Sequence, residues 1–69
     1  METYYIVRVG TKSETCYVRY AGGYELTPCL GDAHMYRVRF RAEAIAKYYM
    51  ARGYKVDICK FEFKGSYEV

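Results

Sequence analysis

The residues of this chain best suited to shared chemistry are arginines. Arg37, Arg39 and Arg41 alternate with Tyr36, Val38 and Phe40, a period of two that places them on one face of an extended strand. Arg8 and Arg19 occupy comparable places in two other strand-like stretches, and Tyr17 lies close to Arg19 in sequence. Guanidinium forks suit carboxylates and phosphates, and tyrosines among them can stack on bases or cover a protein epitope. Arg8, Tyr17, Arg19, Arg37, Arg39 and Arg41 are therefore the expected partner-binding set. A solvated sheet face that discourages edge pairing would show the same residues.

Other chemistry finds little support. The single histidine, His34, stands two residues after Asp32, a loop spacing that gives no general base by itself. Gly22-Gly23 is a turn signal, and neither GxxxxGK[ST] nor GxGxxG occurs. Cys16, Cys29 and Cys59 are odd in number and lack CxxC spacing, so neither a disulfide framework nor a zinc site is expected. Their expected state is that of buried or half-buried thiols in a reducing cytosol. No catalytic residue, cofactor or metal is expected, and the chain reads as a non-enzyme. The protein reads as soluble and intracellular, with no secretory signal and no membrane-spanning run.

A single domain, 1–69, must position these side chains. A chain this short has a thin stability margin. Its bulk comes from ten tyrosines and three phenylalanines, with no tryptophan. Ten phenols cannot all be satisfied inside so small a core, so several belong on the surface, where tyrosine is a common ingredient of binding faces. The net charge of +3, from eleven bases and eight acids, is too balanced for a histone-like or membrane-coating protein and of the wrong sign for an acidic DNA mimic.

Alternation over Thr3–Val9 and Thr15–Tyr20 predicts two strands joined by the polar loop GTKSE. Ala21-Gly22-Gly23 turns the chain into a short strand at Tyr24–Thr27, which Pro28 ends. Cys29 to His34 is irregular, a single helical turn or a loop. Met35–Phe40 then predicts a further strand, carrying the arginine ladder. A helix follows, with Ala42, Ile45, Ala46, Tyr49 and Met50 at the spacing of one buried face. Glu43 is placed to pair with Lys47 four residues on. Gly53 supplies the left-handed stop, with Tyr54 packing back on Tyr49. The far side of the helix holds Ala44, Lys47, Tyr48 and Ala51, poor in charge. Simple helix propensity accounts for an alanine-rich face, and the alternative is close approach of a second helix, as in a homodimer.

In the last strand Tyr54, Val56 and Ile58 alternate, and then Phe61 and Phe63 take up the opposite phase. That slip predicts a β-bulge near Cys59 or Lys60, or an overhanging strand end that offers phenylalanines to a partner. Gly65–Val69 reads as a frayed tail. The expected fold is α+β: a four- to five-stranded, mainly antiparallel sheet with one helix packed on one face.

A resemblance rests on Tyr20, Gly22 and Gly23, then Ala33 and Tyr36, then Ala42 and Ala46, then Gly53, Tyr54 and Val56. This order of turn, strand entry, alanine-spaced helix and G-Y-x-V strand resembles small uncharacterised proteins of bacteriophages and mobile elements. It covers most of the chain but only fold-determining positions, and Arg41 departs from the small polar helix cap usual there. The resemblance implies a binding protein in the cytoplasm of a bacterial host cell that blocks a host protein, such as a CRISPR effector. Two other functions stay open beside it. One is a nucleic-acid-binding module using the arginine and tyrosine face. The other is a dimer that sequesters a small anionic ligand. None of the three involves a membrane.

Overall fold

The computed structural model describes residues 2–63, so the expected tail at Gly65–Val69 lies outside the described residues. β1 (Glu2–Gly10), β2 (Thr15–Tyr20) and β3 (Tyr24–Thr27) form a meander. A 3₁₀ turn at Leu30–Asp32 and α1 (Arg39–Met50) lead into β4 (Lys55–Phe63). All pairings are antiparallel, in the order β3-β2-β1-β4. The α+β class holds, with four strands and not five among the described residues.

The expected strand at Met35–Phe40 is not there. Tyr36 alone makes an isolated bridge to Tyr5, each amide donating to the other's carbonyl at 2.8 Å. Val38 is already the helix N-cap, extended at φ −112°, and Arg39, Phe40 and Arg41 form the first turn. The reason lies in the edges available. β4 pairs with β1 along its whole length, and β2 pairs with β1 over Arg8–Gly10. Beyond that point β1 and β2 part, and the Val18 carbonyl accepts from the His34 amide at 2.9 Å. The stretch His34–Tyr36 thus wedges between two diverging strands, a gap too short for a fifth strand. Arginine is also a good helix former. Arg39 Nε donates to Glu43 Oε2 at 2.8 Å, one turn on, so Glu43 pairs backward with Arg39 and not forward with Lys47.

The core is the layer between α1 and one sheet face. Val7, Val9, Val18, Tyr36, Ala42, Ala46 and Tyr49 form a single buried cluster, flanked by Tyr5, Leu26, Ile45, Tyr54, Val56 and Ile58. The strand residues in this set share one face by register: Val7 opposes Ile58, Val9 opposes Val56 and Val18 opposes Leu26. Small alanines at 42 and 46 let the helix backbone approach the valines closely. Of the expected helix face, Ala42, Ala46 and Tyr49 are buried and Ile45 is half-buried, whereas Met50 is exposed.

The bulge is absent too. The β1–β4 register runs unbroken from Glu2↔Phe63 to Gly10↔Lys55, so the strand does not overhang either. Val56 and Ile58 lie under the helix, and Cys59 and Phe61, one phase later, belong to the opposite face. The phase slip is a change of which side carries the apolar residues.

The helix stop is as expected. Gly53 has φ +93°, the Tyr54 amide donates to the Tyr49 carbonyl at 3.3 Å, and the two rings meet edge to face at 5.9 Å. A Cβ on Gly53 would meet nothing within 4 Å, so strain alone decides the effect of adding one. Gly53→Ala is expected to cost about 1 kcal/mol, read as a lowered urea midpoint with unchanged slope. A neutral result would mean that the turn relaxes out of the left-handed region.

A candidate partner-binding face

The sheet face opposite α1 is crossed by no described helix. Register places Tyr4, Ile6 and Arg8 of β1 there, with Tyr17 and Arg19 of β2, Glu25 of β3, and Asp57, Cys59 and Phe61 of β4. Ile6 is only 5% exposed, so the longer side chains around it close over the middle of the face. Tyr4, Tyr17, Cys59 and Phe61 are half-buried, which leaves aromatic surface in contact with solvent around an apolar floor.

The arginines on this face are held in place. Arg8 Nη2 donates to Asp57 Oδ2 at 2.7 Å across the β1–β4 pair. That hydrogen bond pushes the guanidinium pKa above its ordinary value. Arg19 Nε lies 2.8 Å from Oε2 of its cross-strand neighbour Glu25, and its Nη1 is 3.9 Å from Asp32. Arg37 stacks its guanidinium 5.0 Å from the centroid of the Tyr4 ring, a cation–π contact that brings it onto the same face.

Of the expected set, Arg8, Tyr17, Arg19 and Arg37 therefore come together. Arg39 and Arg41 do not, because the segment that was to carry them as a strand is helical. Arg39 lies on the helix side, paired with Glu43 and 5.8 Å from the Tyr5 ring centroid. Arg41 is exposed on α1, and among the described residues its guanidinium has no ion-pair or hydrogen-bond partner. Sequence reasoning left Tyr4, Ile6 and Phe61 out of the set. Their signal was present, since the same alternation that places Arg8 outward places Ile6 and Tyr4 beside it.

Pairing decides what the face can do. Arginines that already share carboxylates offer little net charge to a polyanion, whereas fixed forks among aromatics suit a protein surface. The His34 ring packs edge-on against Tyr36 at 4.5 Å and Tyr20 at 6.3 Å, and Asp32 turns to Arg19. The cysteines are free. Cys16 is buried, with its thiol pushed up by burial, while Cys59 is half-buried and Cys29, against expectation, is exposed. Among the described residues no group of three or more His, Cys, Asp or Glu could hold a metal, and no helix is long and apolar enough to cross a membrane.

The outer side of α1 is a second surface. Phe40 is 75% exposed, and Tyr48 is half in solvent with Arg52 stacked 4.5 Å over its ring. Arg41, Ala44, Lys47 and Ala51 surround them, all exposed and none acidic. No protein-family model matches the chain, and comparison with curated proteins and with solved structures finds no match.

Proposed function

We propose that this chain is a non-enzymatic binding protein that occupies a protein partner through the open sheet face. In the setting that the phage-type resemblance implies, the partner is a host protein, with a CRISPR effector among the candidates, and binding inhibits it. The observation that supports this reading is the composition of the face. Tyr4, Tyr17 and Phe61 surround a buried Ile6, with Arg8, Arg19 and Arg37 pre-positioned by ion pairing and stacking. Aromatic residues and arginine are the types that dominate binding energy at the centres of interfaces, and side chains fixed beforehand lose less entropy on binding.

The test begins with the partner captured by the tagged protein from a bacterial host lysate and compares affinities of two double variants. Tyr17→Ala with Arg37→Ala is expected to weaken binding by about 30-fold, roughly 2 kcal/mol. Lys47→Ala with Tyr48→Ala on the outer helix face is expected to change it less than about threefold. Both variants must first melt like the parent. The reverse ranking would move the working surface to α1. The nucleic-acid reading makes a different forecast, a steep loss of probe binding between low and moderate salt. The paired state of Arg8 and Arg19 weighs against it. A homodimer would appear as a mass that rises with concentration in light scattering.

A further inference from the structure

The cations without ion-pair partners are unevenly spread. Arg8, Arg19, Arg39 and Lys60 are each paired with a carboxylate. Among the described residues Lys12, Arg37, Arg41, Lys47, Arg52 and Lys55 are not. Three of these six, Lys12, Arg52 and Lys55, line one cleft of about 680 Å³ together with Gly10, Thr11, Gly53 and Tyr54. The three reach it from different elements. Lys12 lies in the β1–β2 loop, Arg52 in the turn after α1, and Lys55 at the start of β4, where register holds it opposite Gly10.

We propose that this cleft binds a phosphate group, free or carried on a small molecule. Among the described residues no acidic side chain lines it. The nearest acid in sequence to Lys12 is Glu14, whose carboxylate accepts from the Cys16 thiol at 3.6 Å. The Thr11 hydroxyl ties the loop down, donating to the Glu14 carbonyl at 2.8 Å and accepting from the Glu14 amide at 3.1 Å, which fixes the stretch that presents Lys12. Arg52 spends one face of its guanidinium on the Tyr48 ring at 4.5 Å, and the N–H edge of a stacked guanidinium stays free to fork onto an anion. A positive charge after a helix C-terminus also satisfies the macrodipole, but that accounts for Arg52 alone. Lys12 and Lys55 belong to other elements, so positive charge from three elements lines one concave site, an arrangement that favours an anion. A phosphate dianion matches that charge and the forked donors, and Tyr54 supplies an aromatic wall for whatever the phosphate is attached to.

Amide chemical shifts of the ¹⁵N-labelled protein test this directly, with inorganic phosphate and adenosine monophosphate titrated separately at ionic strength held constant with chloride. Saturating shifts are expected at Gly10, Thr11, Lys12, Gly53, Tyr54 and Lys55. Arg52→Gln with Lys55→Gln is expected to raise the dissociation constant by about tenfold or more. Lys47→Gln with Lys60→Gln removes the same charge outside the cleft and is expected to change it less than about twofold. Lys12→Gln gives a second reading should the first pair disturb the turn. Tighter binding of the nucleotide would place its base on the Tyr54 wall, and equal affinities would assign recognition to the phosphate alone. Shifts that never saturate, that chloride reproduces, or that the two double variants weaken equally would overturn the site.

Discussion

Ala46→Asp is expected to leave no cooperative unfolding transition at neutral pH, while Ala44→Asp, two residues earlier on the same helix, melts within a few degrees of the parent. Ala46 is 2% exposed and sits in the cluster with Val7, Val9, Val18, Tyr36, Ala42 and Tyr49, none of which carries a positive charge to neutralise a carboxylate. The neighbours one turn away on the helix are Ala42, Glu43, Tyr49 and Met50, so no cation lies in reach along the helix. A buried unpaired charge costs at least about 4 kcal/mol even after it protonates or the structure relaxes. A domain of this size has about 3–10 kcal/mol in total. Ala44 faces solvent beside Arg41 and Lys47, where an acid meets favourable charge, so its substitution is expected to cost no more than about 0.5 kcal/mol. Near-UV circular dichroism of the tyrosines and a thermal melt measure both. If Ala46→Asp keeps a cooperative melt near the parent's, α1 does not pack on the sheet through this face.

The contrast shows what could be read without coordinates. Ala42, Ala46 and Tyr49 were legible as buried because helical periodicity and the Gly53 stop agreed on one face. β1 and β2 were legible for the same reason at period two, and β3 from the Ala21-Gly22-Gly23 turn before it and Pro28 after it. Tyr36–Arg41 was not, because YRVRFR satisfies both a strand period and arginine's helix propensity. The decision was made elsewhere, by β4 taking one edge of β1 and β2 part of the other. In β4 the shift from Val56 and Ile58 to Phe61 was visible in the sequence. Its meaning depended on which face α1 covers, and that is tertiary information. The same limit applied to the binding face. Arg8 and Asp57 are 49 residues apart, and only the strand order β2-β1-β4 makes them neighbours. Lys12, Arg52 and Lys55 meet at the end of the sheet for a similar reason, since a loop, a turn and a strand start converge where β1 ends.

Substitutions at Tyr36 are expected to have opposite signs. Its side chain is 5% exposed, at the centre of the wedge between β1 and β2, and its hydroxyl is buried with no hydrogen bond of ordinary geometry, close to the Tyr24 hydroxyl. Tyr36→Ala empties an aromatic-sized space in the core and is expected to cost about 3 kcal/mol or more, most of the available stability. Tyr36→Phe keeps the ring and removes the unsatisfied group, which should gain about 1 kcal/mol. In a domain this small that corresponds to a rise of about 5 °C in Tm. Alkaline pH gives a second readout. Burial first, then the neighbouring Tyr24, pushes the Tyr36 phenol well above its ordinary value near 10. Above that value the unfolded chain releases this proton while the folded chain keeps it, so the unfolded state binds fewer protons and stability falls as pH rises. Tyr49, shifted upward by burial, adds to the same slope. The parent's Tm should therefore drop on passing from pH 9 to pH 11, and the drop should be shallower in Tyr36→Phe. A lower Tm for Tyr36→Phe at neutral pH would show instead that the hydroxyl is satisfied, with Tyr24 as its partner. Tyr24→Phe would then carry the same penalty.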